Sequence, residues 1–225
     1  MDYYSENLNT RRLQKCYEIA PPRIKQLLKA EIDFVLERIS QNDSVLDLGC
    51  GYGRVARELS VKAAKVVGID ISEANIEFAK NLCRRIAHLE FHKMNAVDLH
   101  FPPAIFDVTI CVQNGISAFN EAPSSLLSEA LRVTKKGGRV LFSSYSDKIW
   151  QERLQWFQIQ ADEKLLGEID YEQTKNSIIV CKDGFKAVTY SEADFLKIAS
   201  EWNVDAHIYE VDNSLIFCEI ERRWS

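Results

Sequence analysis

Val45-Leu46-Asp47-Leu48-Gly49-Cys50-Gly51-Tyr52-Gly53-Arg54 is the stretch that decides the fold. A short apolar run carries one acidic residue near its end, turns through glycines at every second position, and enters a helical pattern over 55–59. A buried strand that passes through a tight loop to a helix N-terminus has this form, and open α/β sheets hold nucleotide-like ligands there. The dinucleotide fingerprint G-x-G-x-x-G would put its third glycine at position 54, where Arg54 stands. Here the glycines are Gly49, Gly51 and Gly53, with Asp47 two residues before the first. A carboxylate at the strand end favours a cationic group and repels a pyrophosphate. The ligand implied carries an adenosine and a positive charge.

Outward from this stretch, strand and helix patterns alternate. Ile24, Leu27, Leu28, Ile32, Val35, Leu36 and Ile39 predict a helix over 21–39, started by Pro21 and Pro22. Strands are predicted at 44–48, 65–70, 89–93, 106–112 and 139–145. Ser72 is placed to cap a helix with Phe78, Leu82 and Ile86 on its apolar face. A further helix over 124–133 is expected to end with Gly137 and Gly138 in its C-cap region. Such alternation implies a mostly parallel sheet covered by helices on both faces. After residue 145 the rhythm changes. The pattern predicts an aromatic-rich helix in 148–166, a hairpin in 177–190 turned at Lys182-Asp183-Gly184, and a helix over 192–202. Two strands follow, 205–211 and 214–221, joined at Asp212-Asn213.

Composition narrows the class. With 225 residues, 46% hydrophobic and 27% charged, the chain suits one soluble α/β domain over 1–225. No apolar run approaches the roughly 18 residues that span a bilayer. Met1-Asp2-Tyr3-Tyr4-Ser5-Glu6 has neither the basic nor the apolar region of a secretory leader. Six scattered cysteines without a C-x-x-C pair argue for a reducing, cytoplasmic setting, with no disulfide framework and no metal site. Net charge of −5 and a pI near 5.5 offer no footprint for nucleic acid. Nothing in the pattern specifies an oligomer.

The Asp-x-Gly-x-Gly-x-Gly pattern at 47–53 resembles the first motif of class I methyltransferases that use S-adenosylmethionine (SAM). The resemblance extends to Val66-Val67-Gly68-Ile69-Asp70, where an acidic residue ends the second strand, and to Asn95-Ala96-Val97-Asp98-Leu99. It also covers Phe106-Asp107 and the run Glu129-Ala130-Leu131-Arg132-Val133-Thr134-Lys135-Lys136-Gly137-Gly138, a structural signature. It implies a seven-stranded sheet of order 3-2-1-4-5-7-6 with strand 7 antiparallel, and SAM as cofactor. Residue by residue, it assigns Asp47, Gly49, Cys50 and Gly51 to the amino-acid end of SAM and Asp70 to the ribose hydroxyls. Ile71 is assigned to the adenine face, and Asn95 with Ala96 to the adenine edge. Asn95 replaces the family's Asp but keeps an acceptor oxygen. Met94 stands where the family has Gly.

The resemblance further implies methyl transfer to an O, N or S atom of a small-molecule acceptor. The crevice lies at the carboxyl ends of the parallel strands, which brings forward Gln113, Asn114 and Tyr145. Gln113 falls at the expected methyl position, and Asn114 could orient an acceptor. The Asn/Asp-Pro-Pro-Tyr/Phe tetrapeptide of many base N-methyltransferases is absent, and His88, His92, His100 and His207 are expected to be packing or surface residues. Residues 1–40 read as a helical cap, with Tyr4 and Tyr17 as candidate gates over SAM. Residues 146–190 read as a substrate lid, with Trp150, Tyr171 and Tyr190 as candidate acceptor contacts. RNA or protein methylation, or SAM binding without turnover, are the alternatives.

Overall fold

The alternating pattern folds into one twisted sheet. A computed structural model describes residues 10–119 and 122–223. Its strands are β1 (Ser44–Leu48), β2 (Lys65–Asp70), β3 (Leu89–Lys93), β4 (Phe106–Cys111), β5 (Thr134–Tyr145), β6 (Ile179–Val180), β7 (Lys186–Ala187), β8 (Ala206–Val211) and β9 (Leu215–Glu221). The helices are α1 (Thr10–Glu18), α2 (Pro22–Arg38), α3 (Arg54–Leu59), α4 (Glu73–Cys83), α5 (Pro123–Val133), α6 (Trp150–Asp162) and α7 (Glu192–Glu201). The main sheet runs β3-β2-β1-β4-β5-β9-β8, with β6 and β7 paired separately in the lid. The first five strands are parallel, and β9 is antiparallel to β5 and β8. Counted within that sheet, the order is 3-2-1-4-5-7-6, as the resemblance implies. Asp212, Asn213 and Ser214 make a three-residue β8–β9 turn, one residue longer than expected, with positive φ at Asp212 and Asn213.

Side-chain alternation divides the core into two layers. Val45 packs with α1 to α4 and the lid, whereas Leu46 and Leu48 pack with α5 and α7. Asp47 therefore shares the Val45 face, under the N-terminal helices. The chain leaves β1 for β2 on one side and reaches β4 on the other, so the switch point opens at the carboxyl ends of β1 and β4. No helix among the described residues is long and apolar enough to cross a membrane.

Three local expectations are corrected. On α4 the buried face is Asn75, Ile76, Ala79 and Cys83, while Leu82 is exposed and Ile86 lies beyond the helix. The Ser72 cap, whose side chain accepts from the Asn75 N–H, sets this phase, and small Ala79 lets α4 approach the glycine loop. The C-cap of α5 is Thr134, extended at once, with its hydroxyl donating to the Ala130 carbonyl at 2.6 Å. Gly137 instead turns the irregular start of β5, which accordingly begins at Thr134 and not at 139.

Candidate functional site

A cleft of about 1050 Å³, including its open mouth, lies at the carboxyl ends of β1, β2, β4 and β5. A recess of about 360 Å³ continues it toward Asp47 and shares Tyr17, Gly49, Gly51 and Gln113 with it. The glycine loop makes this possible. Gly49, Gly51 and Gly53 all have positive φ, which glycine adopts without strain. At Gly53 a Cβ would also stand 2.6 Å from the Phe91 ring, so the position is closed to any larger residue.

Asp47 is 2% exposed at the base of the recess. It accepts from the Ala56 backbone N–H, yet its Oδ2 has no hydrogen-bond partner. Burial pushes its pKa from 3.8 up to about 7; the Arg54 guanidinium opposes the shift, and the charges of Asp70 and Glu31 add to it. Arg54 lines the same recess, its guanidinium 4.6 Å above the Tyr17 ring. Burial likewise pushes the Cys50 thiol well up, reinforced by Asp47 and Asp70, so Cys50 remains a neutral small residue of the loop.

Asp70 reaches the cleft from the end of β2. Its Oδ2 accepts from the Gly51 N–H at 2.9 Å and its Oδ1 from the Ser72 N–H at 2.8 Å. The carboxylate thus ties the β2 end to the glycine loop and presents its acceptors to the cleft. Ile71, beside it, is 49% exposed and also lines the cleft.

Opposite stands the loop after β4. Gln113 and Asn114 both have positive φ, a conformation that persists only where surrounding contacts enforce it. Glu31, fully buried on α2, supplies those contacts: its carboxylate accepts from the Gln113 N–H (2.8 Å), the Gln113 Nε2 (2.8 Å) and the Ser143 hydroxyl (2.5 Å). Asn114 lines the cleft, but its amide works inward. Nδ2 donates to the Ser117 hydroxyl and the Val188 carbonyl, and Oδ1 accepts from the Ser144 hydroxyl.

α1 roofs the cleft and joins its two halves. The Thr10 N–H donates to Asn75 Oδ1 on α4 at 2.7 Å, and Arg12 donates to the Lys164 and Leu165 carbonyls of the lid. The Trp156 indole N–H donates to the Cys16 carbonyl at 2.9 Å. Tyr17 lies between, its ring 6.1 Å from Tyr52 and 6.0 Å from Trp156.

Of the sequence-derived candidates, Asp47, Gly49, Cys50, Gly51, Asp70, Ile71, Gln113, Asn114, Tyr17 and Tyr145 converge on these two cavities. Asn95 and Ala96 lie outside both linings, and Asn95 Oδ1 accepts from the Val97 N–H of its own turn. The Glu129–Arg132 pair holds that segment against α5, through the Leu99 N–H and the Leu99 and Phe101 carbonyls, which bears out a structural role. Tyr4 lies outside the described residues.

The lid is corrected in detail. Trp150 packs on the core beside the cleft, Tyr171 is 60% exposed and donates to Gln158, and Tyr190 packs against Phe195 on the other face of the sheet. The cleft wall is made instead by Arg153, Trp156, Phe157, Gln160 and Phe185. Glu31 and Arg153 are the residues that sequence reasoning missed. Both had a signal, a charge inside an apolar stripe at i, i+3, i+4 spacing: Leu27, Leu28, Glu31 and Phe34 on α2, and Arg153, Trp156 and Phe157 on α6. Among the described residues, no three His, Cys, Asp or Glu side chains are grouped to hold a metal ion, and none of the four histidines lines the cleft.

Fold and site together define a doubly wound α/β protein with an acidic recess at its switch point. Residues 45–138 match a family model described as a methyltransferase domain. Over those residues the chain is similar to a methyltransferase domain, and its sheet has the strand order that the resemblance to class I, SAM-dependent methyltransferases implies. It is 34% identical over 113 residues to a demethylmenaquinone methyltransferase of Tropheryma whipplei, covering 48% of this chain and 44% of that one. It is 33% identical over 116 residues to a ubiquinone biosynthesis O-methyltransferase of Dechloromonas aromatica, covering 50% and 49%. The chain thus spans about half the length of the curated relatives it matches. A solved SAM-dependent methyltransferase of Aquifex aeolicus shares the fold with a TM-score of 0.62 and 17% identity, over 92% of this chain and 96% of that one.

Proposed function

We propose that this chain transfers the methyl group of SAM to an O, N or S atom of a small-molecule acceptor bound beneath the lid. The observation that carries the reading is the Asp47 carboxylate, buried at the base of the recess with Oδ2 unpartnered. A buried carboxylate with one oxygen unpartnered is costly, and an ammonium group is a ligand that offsets the cost. In this reading Asp47 receives the ammonium, with the backbone of Gly49, Cys50 and Gly51 around the amino-acid end. Asp70 accepts from the ribose hydroxyls and Ile71 packs on the base. Gln113 borders the reacting end, and Tyr17 covers the cofactor.

When bound, SAM supplies a methyl group already activated by its sulfonium. The residues around the cleft have to orient the acceptor and exclude water, and proximity supplies most of the acceleration. Glu31 fixes the β4 loop for that purpose, and α1 with α6 closes the roof. A roofed cleft with aromatic walls and a net charge of −5 favours a small molecule over RNA or protein. We read the cap, the sheet and the lid as one domain, and the six free, buried cysteines as fitting a cytoplasmic setting.

The test is incubation of the full chain with methyl-labelled SAM and fractionated metabolite, RNA and protein extracts. Label in a small-molecule fraction is the expected outcome. Label in RNA or protein alone would reassign the acceptor, and bound SAM without any methyl release would leave a binding protein.

A further inference from the structure

Gln113 stands where the main cleft meets the Asp47 recess, and of the residues lining both only Gln113 and Tyr17 have polar side chains. Glu31 clamps Gln113 at two points. One carboxylate oxygen accepts from the Gln113 backbone N–H at 2.8 Å, and the other accepts from its Nε2 at 2.8 Å. The Ser143 hydroxyl donates to the first oxygen at 2.5 Å. Glu31 is fully buried, and among the described residues no lysine, arginine or histidine pairs with it. Its charge reaches the recess, where it adds to the upward push on Asp47.

A carboxylate only accepts, so Glu31 decides which way the Gln113 amide faces. Nε2 turns inward to Glu31, and Oε1 is the end left over. Oε1 has no hydrogen-bond partner among the described residues, and the side chain is only partly buried, which leaves that oxygen accessible. The junction therefore carries an acceptor oxygen polarised from behind by a buried anion.

We propose that Glu31 is a positioning residue that, through Gln113, tunes the site for a sulfonium over a neutral thioether, and so for the methyl donor over its demethylated product. The inference rests on the methyl-transfer reading, which seats the ammonium at Asp47 and brings the sulfur, a short aliphatic chain away, to the junction. SAM and S-adenosylhomocysteine share the adenosine, the ammonium and the carboxylate. They differ in the methyl group and in the charge on sulfur. Asp47 acts on what they share, and Glu31 with Gln113 acts on what they do not. When the methyl group passes to the acceptor, the electron pair of the broken bond stays on sulfur and the positive charge there is lost. A site tuned in this way releases its product.

The test is titration calorimetry of SAM and of S-adenosylhomocysteine into the full chain, read as the ratio of their affinities. It compares wild type, Glu31→Gln, Asp47→Asn and the exchanged pair Glu31→Gln with Gln113→Glu. In Glu31→Gln the new amide oxygen stays with the Gln113 backbone N–H and the Ser143 hydroxyl. Its nitrogen then faces Gln113, whose amide turns over to accept and shows N–H to the cleft. With the charge gone and the dipole reversed, the ratio should move about tenfold toward the product. In the exchanged pair the nitrogen at position 31 donates to the carboxylate at position 113, whose other oxygen faces the cleft, so the ratio should return to the wild-type value or exceed it. Asp47→Asn should weaken both ligands together and leave the ratio unmoved. A merely structural role for Glu31 would weaken both ligands alike. If Glu31→Gln does not fold, the exchanged pair decides, because every donor of the clamp keeps an acceptor in it, and a ratio below wild type there counts against the proposal. An unmoved ratio in Glu31→Gln, an exchange that fails to restore it, or an equal shift in Asp47→Asn would overturn the proposal and leave methyl transfer standing. Binding of neither ligand by the wild-type chain would sink the methyl-transfer reading and the proposal with it.

Discussion

Replacing Asp47 by Asn separates the stability of the empty fold from its affinity for a cation. In the unfolded chain Asp47 loses its proton near 3.8, and in the folded chain only near about 7. Between those values the unfolded chain holds fewer protons than the folded one, so stability falls as pH rises from about 4 to about 7 and then levels off. A difference of about 3 pKa units corresponds to ~4 kcal/mol. Asp47→Asn removes the ionisation. It leaves an amide in place of Oδ2, and an unpartnered amide costs ~1–3 kcal/mol at every pH. The clean quantity is therefore the pH dependence of the difference between variant and wild type, which should move by ~4 kcal/mol in the variant's favour between pH 4 and pH 8. Urea denaturation at a series of pH values measures it. The ligand side has the opposite sign. A cationic group needs Asp47 ionised, so wild-type SAM affinity should fall as pH drops below about 7, approaching about tenfold per unit. In Asp47→Asn that slope should vanish, and affinity near neutral pH should be about 10- to 150-fold weaker, the worth of a hydrogen bond to a charged group. Titration calorimetry between pH 5.5 and 7 stays below the range of an α-amino group, about 7.7–8.0, so the cofactor's own ionisation does not intrude. A flat wild-type profile, or unchanged SAM affinity in the variant, would refute the assignment of Asp47 to the ammonium.

Asp70→Ala should weaken SAM binding by about 30-fold or more, because it removes the acceptors assigned to the ribose along with the tie to the Gly51 and Ser72 N–H groups. Calorimetry giving wild-type affinity would exclude that role. Glu31→Ala strands three donors in the core, on Gln113 and Ser143, and should destabilise the fold by ~3 kcal/mol or more. Its urea midpoint reports the loss, and an unmoved midpoint would show that the β4 loop holds its left-handed turn without Glu31.

What was legible in the sequence, and what was not, follows from how each half of the cleft is built. The cofactor half is made by backbone loops at strand ends, and their conformation is written locally. Three glycines at alternate positions, a carboxylate before them and another ending the next strand mark it within 24 residues of chain, from Asp47 to Asp70. The strand order was legible only through the resemblance that these motifs carry, since alternation of strand and helix by itself implies no more than a mostly parallel sheet covered on both faces. The acceptor half is made by side chains that meet only in the fold. Glu31 reaches Gln113 across 82 residues of sequence, and no local pattern announces that pairing. In the lid, aromatic content drew attention to Trp150, Tyr171 and Tyr190, yet helix phase is what selects the wall. Positions 153, 156, 157 and 160 share the inward face of α6, whereas Tyr171 lies in a loop with no period to read. On α4 the same dependence on phase misled a search for large apolar residues, because small Ala79 packs against the glycine loop and Leu82 faces solvent. Phase, which a cap such as Ser72 sets, therefore ranks above hydrophobicity in locating a wall.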